Sequence, residues 1–114
     1  MKEGDVILAQ VPQANRKMKV RPAIFLREMP PYNDLLVCGI STQLNKYVSN
    51  FDDLISPKDE DFNSSGLQSK SIIRLSFLAV LPRGRILGSI GSISFVRYKR
   101  LLKKLCDYLL SNIT

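Results

Sequence analysis

The sequence predicts a mainly β protein, a small and strongly bent β-barrel closed by one C-terminal α-helix. Short runs of strand-forming residues alternate with Pro, Gly, Asn and Asp clusters up to about residue 93. Apolar residues then recur mostly at steps of three and four, which is typical of an amphipathic helix. Because 114 residues suffice for one core, we expect a single domain over 1–114, with strands and loops at about 4–93 and the helix at about 95–111.

Three strands are predicted in the first part of the chain: Asp5–Val11, Pro22–Arg27 and Leu35–Ser41. Proline cannot donate to a sheet ladder, so Pro22 should stand at the first position of its strand or on an edge. Arg21 would then lie at the rim of a rigid element, a good place for a residue that meets a charged ligand. The plain alternative is a solvated arginine before a strand.

The second half predicts shorter elements. Residues 53–55 indicate a short edge strand, and residues 59–66 a polar surface loop. The run Ser71–Leu81 is long for one straight strand, and Arg74 and Ser76 in its middle predict a bend that gives two strands in sequence. The glycines of residues 86–93 indicate tight turns or close backbone approach.

The C-terminal helix is predicted to begin after Ser94, whose hydroxyl can accept from early helical N–H groups. Its apolar residues should face the core: Val96, Tyr98, Leu101, Leu102, Leu105, Tyr108 and Leu109. Its charged residues are expected on the solvated side: Arg97, Arg100, Lys103, Lys104 and Asp107.

Charge is unevenly distributed along the chain, whose formal net charge is +7. Residues 16–27 and 83–104 carry basic side chains and no acid, whereas residues 52–61 hold an acidic stretch. Clustered basic charge on a small domain favours a polyanionic partner, either nucleic acid or an acidic protein segment. The plain alternative is a solvated surface.

The composition also argues against several classes of function. The chain has no histidine, which is the usual general acid or base near neutral pH and the commonest transition-metal ligand, so we predict no metal site and no cofactor. Cys38 and Cys106 have no C-x-x-C spacing and are expected to be buried free thiols. The polar N-terminus and the short apolar runs predict neither a signal peptide nor a membrane span, hence a cytoplasmic protein.

Four short motifs follow one another along the chain: Gly4-Asp5-Val6, Arg21-Pro22-Ala23, Gly39-Ile40-Ser41-Thr42 and Ser71-Ile72-Ile73-Arg74. In order and spacing, over nearly the whole chain, they resemble the MazF/PemK family of toxin endoribonucleases. The resemblance implies an SH3-like barrel, usually a homodimer, that cuts single-stranded RNA without a metal. It also implies neutralisation by an antitoxin, and an acidic, largely disordered partner would fit the charge.

The resemblance also implies which residues form the site. Arg21 matches the catalytic arginine of the family. The family's catalytic threonine falls on Ser41, and Thr42 stands one residue later. Because one step along a strand turns a side chain to the opposite face, both hydroxyls remain candidates for the catalytic one.

The predicted RNA-binding residues lie on both sides of these positions: Arg16, Lys17, Lys19, Gln43, Tyr47 and Arg74. The implied reaction is attack by a ribose 2′-OH on the adjacent phosphate, leaving a 2′,3′-cyclic phosphate and a 5′-OH. Two alternatives stay open because a fold does not fix a function. One is a catalytically inactive SH3-like module that binds nucleic acid or an acidic protein segment, and the other is a structural partner that docks through its basic helix.

Overall fold

Six antiparallel strands form one sheet, and a long C-terminal helix packs against it. The computed structural model describes residues 1–12 and 14–113. Its strands are β1 (Asp5–Pro12), β2 (Met18–Met29), β3 (Asp34–Ser41), β4 (Asp53–Ile55), β5 (Ser71–Leu81) and β6 (Ile86–Ser92), and its helices are α1 (Phe62–Ser65) and α2 (Phe95–Leu110). The sheet order is β4-β5-β3-β2-β1-β6, so β4 lies at an edge as predicted. The predicted class, mainly β with a C-terminal helix, is confirmed.

The sheet has two apolar faces because successive side chains of a strand point to opposite sides. On the helix face, residues such as Ile24 and Cys38 pack in one cluster with Leu101 and Leu105 of α2. The other face, which we call the cleft face, carries Ile7, Ala9, Ala23, Phe25, Leu35, Val37 and Leu81. Residues 21, 23 and 25 alternate along β2 and share one face, so Arg21 lies on the cleft face with Ala23 and Phe25.

β2 begins earlier than the sequence predicted. It pairs with β1 from Met18 onward, so Arg21 lies opposite Ala9 inside the strand and not at its rim. Pro22 is inside the strand too, but β3 pairs with β2 only from Ala23 onward. At Pro22 the strand therefore pairs only with β1. Pro22 was predicted either at the first position of its strand or on an edge, and the edge position is observed.

β5 is one strand with a bulge, so the prediction of two strands in sequence is wrong. Its register against β3 shifts between Cys38, which pairs with Leu78, and Gly39, which pairs with Arg74. Residues 75–77 lie between these pairs and make the bend that Arg74 and Ser76 predicted. The strand remains single because it pairs with β3 on both sides of the bulge.

The prediction of a polar surface loop over residues 59–66 is correct in part. Glu60, Asn63 and Ser64 are exposed, but the segment is partly helical and buries Asp61, Phe62 and Ser65. Residues 62–65 form α1, and Gly66 ends it with a φ of 76°. A Cβ at Gly66 would collide with the Ile90 carbonyl oxygen, and one at Gly91 with that of Ser64. α1 and β6 thus meet backbone to backbone, the close approach that the glycines predicted.

Ser94 caps α2 as predicted, because its hydroxyl oxygen accepts from the Arg97 N–H at 3.1 Å. The helix also differs from the prediction in which side chains it buries. Val96, Tyr108 and Leu109, expected in the core, are exposed. Cys106, expected to be buried, is exposed as well, while Cys38 is buried as predicted. In the part of the chain that the structure describes, α2 included, no helix is both long and apolar enough to cross a membrane.

A buried ion-pair network holds α2 in place. Arg97, predicted on the solvated side, is 5% exposed. Its guanidinium donates to Asp61 through Nε at 2.8 Å and to Asp53 through Nη1 at 2.7 Å. Arg100 and Lys104 reach Asp53 at 2.8 and 3.1 Å. The basic side of the helix therefore faces acids of its own chain, which weakens the alternative of docking through a basic helix.

Replacing Arg97 tests how much this network contributes to the free energy of unfolding. Arg97→Met leaves Asp61 with no cation and Asp53 with only the more exposed Arg100 and Lys104. We expect a loss of about 3 to 5 kcal/mol in the free energy of unfolding, measured by urea denaturation, because the carboxylates stay buried. Lys103→Met, which breaks only an exposed pair with Asp107, is the control and should barely move the midpoint. Equal midpoints for the two variants would contradict the role of Arg97.

Acid should weaken the same network. Burial alone raises the pKa of Asp53, but hydrogen bonds from Arg100 and Lys104 outweigh it and bring this pKa below its ordinary value of 3.8. Burial likewise raises the pKa of Asp61, and hydrogen bonds from Arg97 and the Ser94 N–H bring it below 3.8.

Carboxyls with lowered pKa values bind fewer protons in the folded state than in the unfolded chain. Their stabilisation is therefore complete above the unfolded value of 3.8 and is lost as the pH falls through the lower folded values. We expect the urea midpoint of the wild type to fall steeply below about pH 4, and that of Arg97→Met to fall less. A wild-type midpoint that stays flat down to about pH 2 would refute this prediction.

Candidate functional site

A cleft of about 550 Å³ opens on the cleft face of the sheet. Its apolar lining includes Ala23, Val37, Ala79 and Leu81. Its other walls come from the end of β3, the segment after it, residues 67–69 with Ser71, and the β5 bulge. Among the described residues, the cations that line it are Arg21, Lys46 and Arg74, and no Asp or Glu lines it. The cleft is therefore suited to an anion of extended shape.

Arg21 enters the cleft from the middle of a paired strand. Its backbone is fixed opposite Ala9 of β1, and its side chain is exposed. Across residues 1–12 and 14–113, no carboxylate pairs with it. A guanidinium presented on a rigid strand without a competing acid can form two parallel hydrogen bonds to a phosphate.

The two candidate hydroxyls differ in where β3 places them. Ser41 is the last residue of β3, and Thr42 follows the end of the strand. Val37 belongs to the cleft face and Ile40 to the helix face, so strand alternation turns Ser41 toward the cleft. Its Oγ accepts from the Gln43 N–H at 3.0 Å, which leaves the hydroxyl proton available for a ligand.

The β5 bulge decides which side chains of that strand enter the cleft. Ile73 and Leu75 pack on the helix face, so Arg74 between them turns to the cleft. Phe77, the last residue of the bulge, also lines the cleft. In a regular strand Arg74 and Phe77 would lie on opposite faces, because the side-chain period is two.

Arg74 and Phe77 form a stacked pair. The guanidinium carbon of Arg74 lies 5.7 Å from the centre of the Phe77 ring. In the described part of the chain, the buried Nε of Arg74 has no hydrogen-bond partner, and Phe77 is 44% exposed. The pair therefore offers a cation and an open aromatic surface side by side.

The predicted site residues divide into two groups. Arg21, Ser41, Thr42, Gln43 and Arg74 meet in the cleft. Arg16, Lys17, Lys19 and Tyr47 are exposed side chains that do not line it. The first three lie on the β1–β2 connection and at the start of β2, and Tyr47 follows the 3₁₀ turn Leu44–Lys46.

Lys46 and Phe77 line the cleft although the sequence reasoning did not single them out. Lys46 stands one residue before the predicted Tyr47 and is the last residue of the 3₁₀ turn. A search for cations near the third motif could have found it. Phe77 had no such signal, because its face depends on the bulge.

The buried cysteine is not available for nucleophilic chemistry. Burial, the largest cause, raises the pKa of the Cys38 thiol to about 12, so the thiol stays protonated near neutral pH. Within the residues described, no three His, Cys, Asp or Glu side chains are placed to hold a metal ion. The polar groups that line the cleft are guanidinium, ammonium, hydroxyl and amide groups, beside the Phe77 ring and the apolar side chains.

The chain and its fold are similar to known proteins. The family model for the "PemK-like, MazF-like toxin of type II toxin-antitoxin system" matches residues 2–109. Among solved structures, the Mycobacterium tuberculosis toxin MazF-mt6 is similar with a TM-score of 0.69 and 18% sequence identity, over 92% of this chain and 95% of that chain. At this identity the likeness shows a shared fold. No curated protein matches the chain.

Proposed function

Because the chain belongs to the PemK-like, MazF-like family of type II toxins, we propose that it is an endoribonuclease that cuts single-stranded RNA in the cytoplasm without a metal. The observation that carries the proposal is the acid-free cleft, in which Arg21, Arg74 and the Ser41 hydroxyl are among the lining groups. Within the described residues no acid pairs with the cations of this cleft, and cations beside the oriented Ser41 hydroxyl fit a phosphodiester better than a neutral ligand.

In the proposed reaction the ribose 2′-OH gives its proton to solvent as its oxygen bonds to the adjacent phosphorus. The bond from phosphorus to the 5′-oxygen breaks, and that oxygen takes up a proton from solvent. The products are a 2′,3′-cyclic phosphate and a 5′-OH. The substrate supplies its own nucleophile, so this step needs no bound water or covalent enzyme intermediate.

Arg21 would stabilise the charge that gathers on the phosphate oxygens. A preorganised donor of this kind is worth about 3 to 4 kcal/mol of barrier, by analogy with oxyanion holes. We assign Arg21 this electrostatic role because a guanidinium stays protonated in proteins. Ser41 would donate its hydroxyl proton to a phosphate oxygen and fix the line of attack.

The remaining groups would hold the strand on either side of the cut. Arg74 and Lys46 would contact phosphates, while Phe77 and Gln43 would contact bases, by stacking and by hydrogen bonding respectively. A single strand is the expected substrate because the nucleotide must splay to align its 2′-OH. The exposed side chains outside the cleft would bind flanking RNA: Arg16, Lys17, Lys19 and Tyr47.

We also propose an acidic antitoxin as partner and a homodimer as assembly. The cleft lacks acids of its own, so an acidic segment of the antitoxin could occupy it and exclude RNA. Support for a dimer comes from the family and from the end of α2, where Tyr108, Leu109 and Leu110 are exposed.

Removing the Arg21 guanidinium should abolish cleavage. We expect the purified wild type to cut single-stranded RNA in EDTA, and Arg21→Ala to cut at least about 100-fold more slowly. Arg83→Ala is the matched control, because Arg83 is an exposed arginine that pairs with Glu28 and does not line the cleft. A wild type that binds RNA without cutting it would favour the inactive-module alternative, and equal rates for Arg21→Ala and Arg83→Ala would refute the mechanism.

The two hydroxyls can be separated by kinetics. Ser41→Ala should lower kcat about 10-fold or more, because it removes the donor that strand alternation turns toward the phosphate. Thr42→Val removes only the neighbouring hydroxyl and should change kcat less than about 3-fold. Single-turnover cleavage of one defined oligonucleotide measures both. The reverse order of effects would assign the catalytic role to Thr42.

A further inference from the structure

We infer that Asp52 is a positioning residue of the cleft, an inference that rests on the proposed function. Asp52 is 0% exposed and does not line the cleft. Its carboxylate nevertheless bonds to two segments that do: the β5 bulge and the segment that follows β3.

The Asp52 carboxylate accepts three hydrogen bonds from two segments of the chain. Its Oδ1 accepts from the Ser76 N–H at 3.0 Å. Its Oδ2 accepts from the Ser76 hydroxyl at 3.1 Å and from the Val48 N–H at 3.0 Å. In the described residues, no Lys or Arg side chain forms an ion pair with this carboxylate. A buried carboxylate without a counterion depends on its hydrogen bonds. The three bonds therefore hold the Asp52 side chain in place, and Asp52 in turn holds the backbone at Val48 and Ser76.

Ser76 is the centre of the bulge, which is why its bonds to Asp52 matter for the cleft. A bulged residue has no partner for its backbone N–H in the ladder, and here Asp52 supplies the acceptor. Without that acceptor, the regular register would continue and Gly39 would pair with Phe77 instead of Arg74. A slip of this kind turns side chains to the other face, so Arg74 and Phe77 could no longer share the cleft.

The third bond joins the opposite wall of the cleft to the same carboxylate. Val48 lies two residues after Lys46, which lines the cleft, and its N–H is held by Asp52. One buried carboxylate thus sets the spacing between Lys46 and the pair of Arg74 and Phe77.

Two variants and two matched controls test this role. Asp52→Asn leaves one acceptor oxygen for three donors, and Ser76→Ala removes one bond while the protein keeps its buried carboxylate. Asp59→Asn is the control for the first, because Asp59 also accepts from a backbone N–H, that of Ser56, away from the cleft. This variant also weakens an ion pair with Arg97, so it shows whether a loss of stability alone moves the readouts. Ser64→Ala is the control for the second, since the Ser64 hydroxyl bonds only to the carbonyl oxygens of Asp61 and Ser92.

The first readout needs no RNA. The Arg74 side chain lies over the Phe77 ring, so its proton resonances should carry an upfield ring-current shift. We expect Asp52→Asn to lose this shift and Asp59→Asn to keep it. A shift that survives in Asp52→Asn would overturn the inference, whether or not the protein cuts RNA.

The second readout is kcat/KM for RNA cleavage. We expect a fall of about 10-fold or more for Asp52→Asn and about 3-fold for Ser76→Ala, with both controls near the wild type. In an Arg74→Ala background, Asp52→Asn should cause a smaller further loss than in the wild type, because a positioning residue acts through the side chains that it positions. Full additivity in that background would overturn the inference.

The outcomes separate the two proposals. A wild type that cuts RNA, with Asp52→Asn equal to it, overturns the role of Asp52 and leaves the proposed function standing. A wild type that cuts nothing refutes the proposed function, and the ring-current shift then decides whether Asp52 places Arg74. If Asp52→Asn does not fold, Ser76→Ala tests the role of Asp52 instead, by the ring-current shift of Arg74 and by kcat/KM.

Discussion

The rest of the structure depends on the buried ion pairs of Arg97 with Asp53, Asp59 and Asp61. They join α2 to the edge strand β4 and to α1, so the helix is fixed over one face of the sheet. They also neutralise three acids of the acidic stretch, Asp53, Asp59 and Asp61. Without these pairs the three carboxylates would add uncompensated negative charge to a protein that we propose binds a polyanion, and the network removes that conflict.

The long helix and the proposed functional site lie on opposite faces of one sheet. The helix face carries the larger apolar cluster and packs with α2. The cleft face leaves cations and hydroxyls beside a small apolar floor, where Arg21 is held by strand pairing. Strand alternation makes the division possible, since each strand contributes to both faces. Asp52 connects the protein interior with the cleft. Its side chain is fully buried, and it holds the bulge that turns Arg74 into the cleft.

Local patterns in the sequence predicted much of this molecule. The strands β1, β3 and β4, the cap at Ser94 and the helix that follows it depend on neighbouring residues, and the structure agrees with these predictions. Arg21 and the Ser41 region were found through their resemblance to known motifs, and the structure brings them into one cleft.

The features that the sequence did not predict depend on distant contacts. The amphipathic pattern placed Arg97 in solvent because it cannot show that carboxylates lie under the helix. The position of Phe77 follows from a register shift that a distant carboxylate holds, and no local propensity encodes it. Pro22 is tolerated inside a strand only because β3 begins to pair one residue later.

The most direct measurement is a crystal structure of the protein with a short single-stranded RNA whose cleavable nucleotide lacks the 2′-OH. We expect the scissile phosphate in the cleft, with the Arg21 guanidinium and Ser41 Oγ within about 3 Å of its oxygens and a neighbouring base on the Phe77 ring. RNA bound along the outer surface of α2, or a phosphate out of reach of Arg21, would contradict the account.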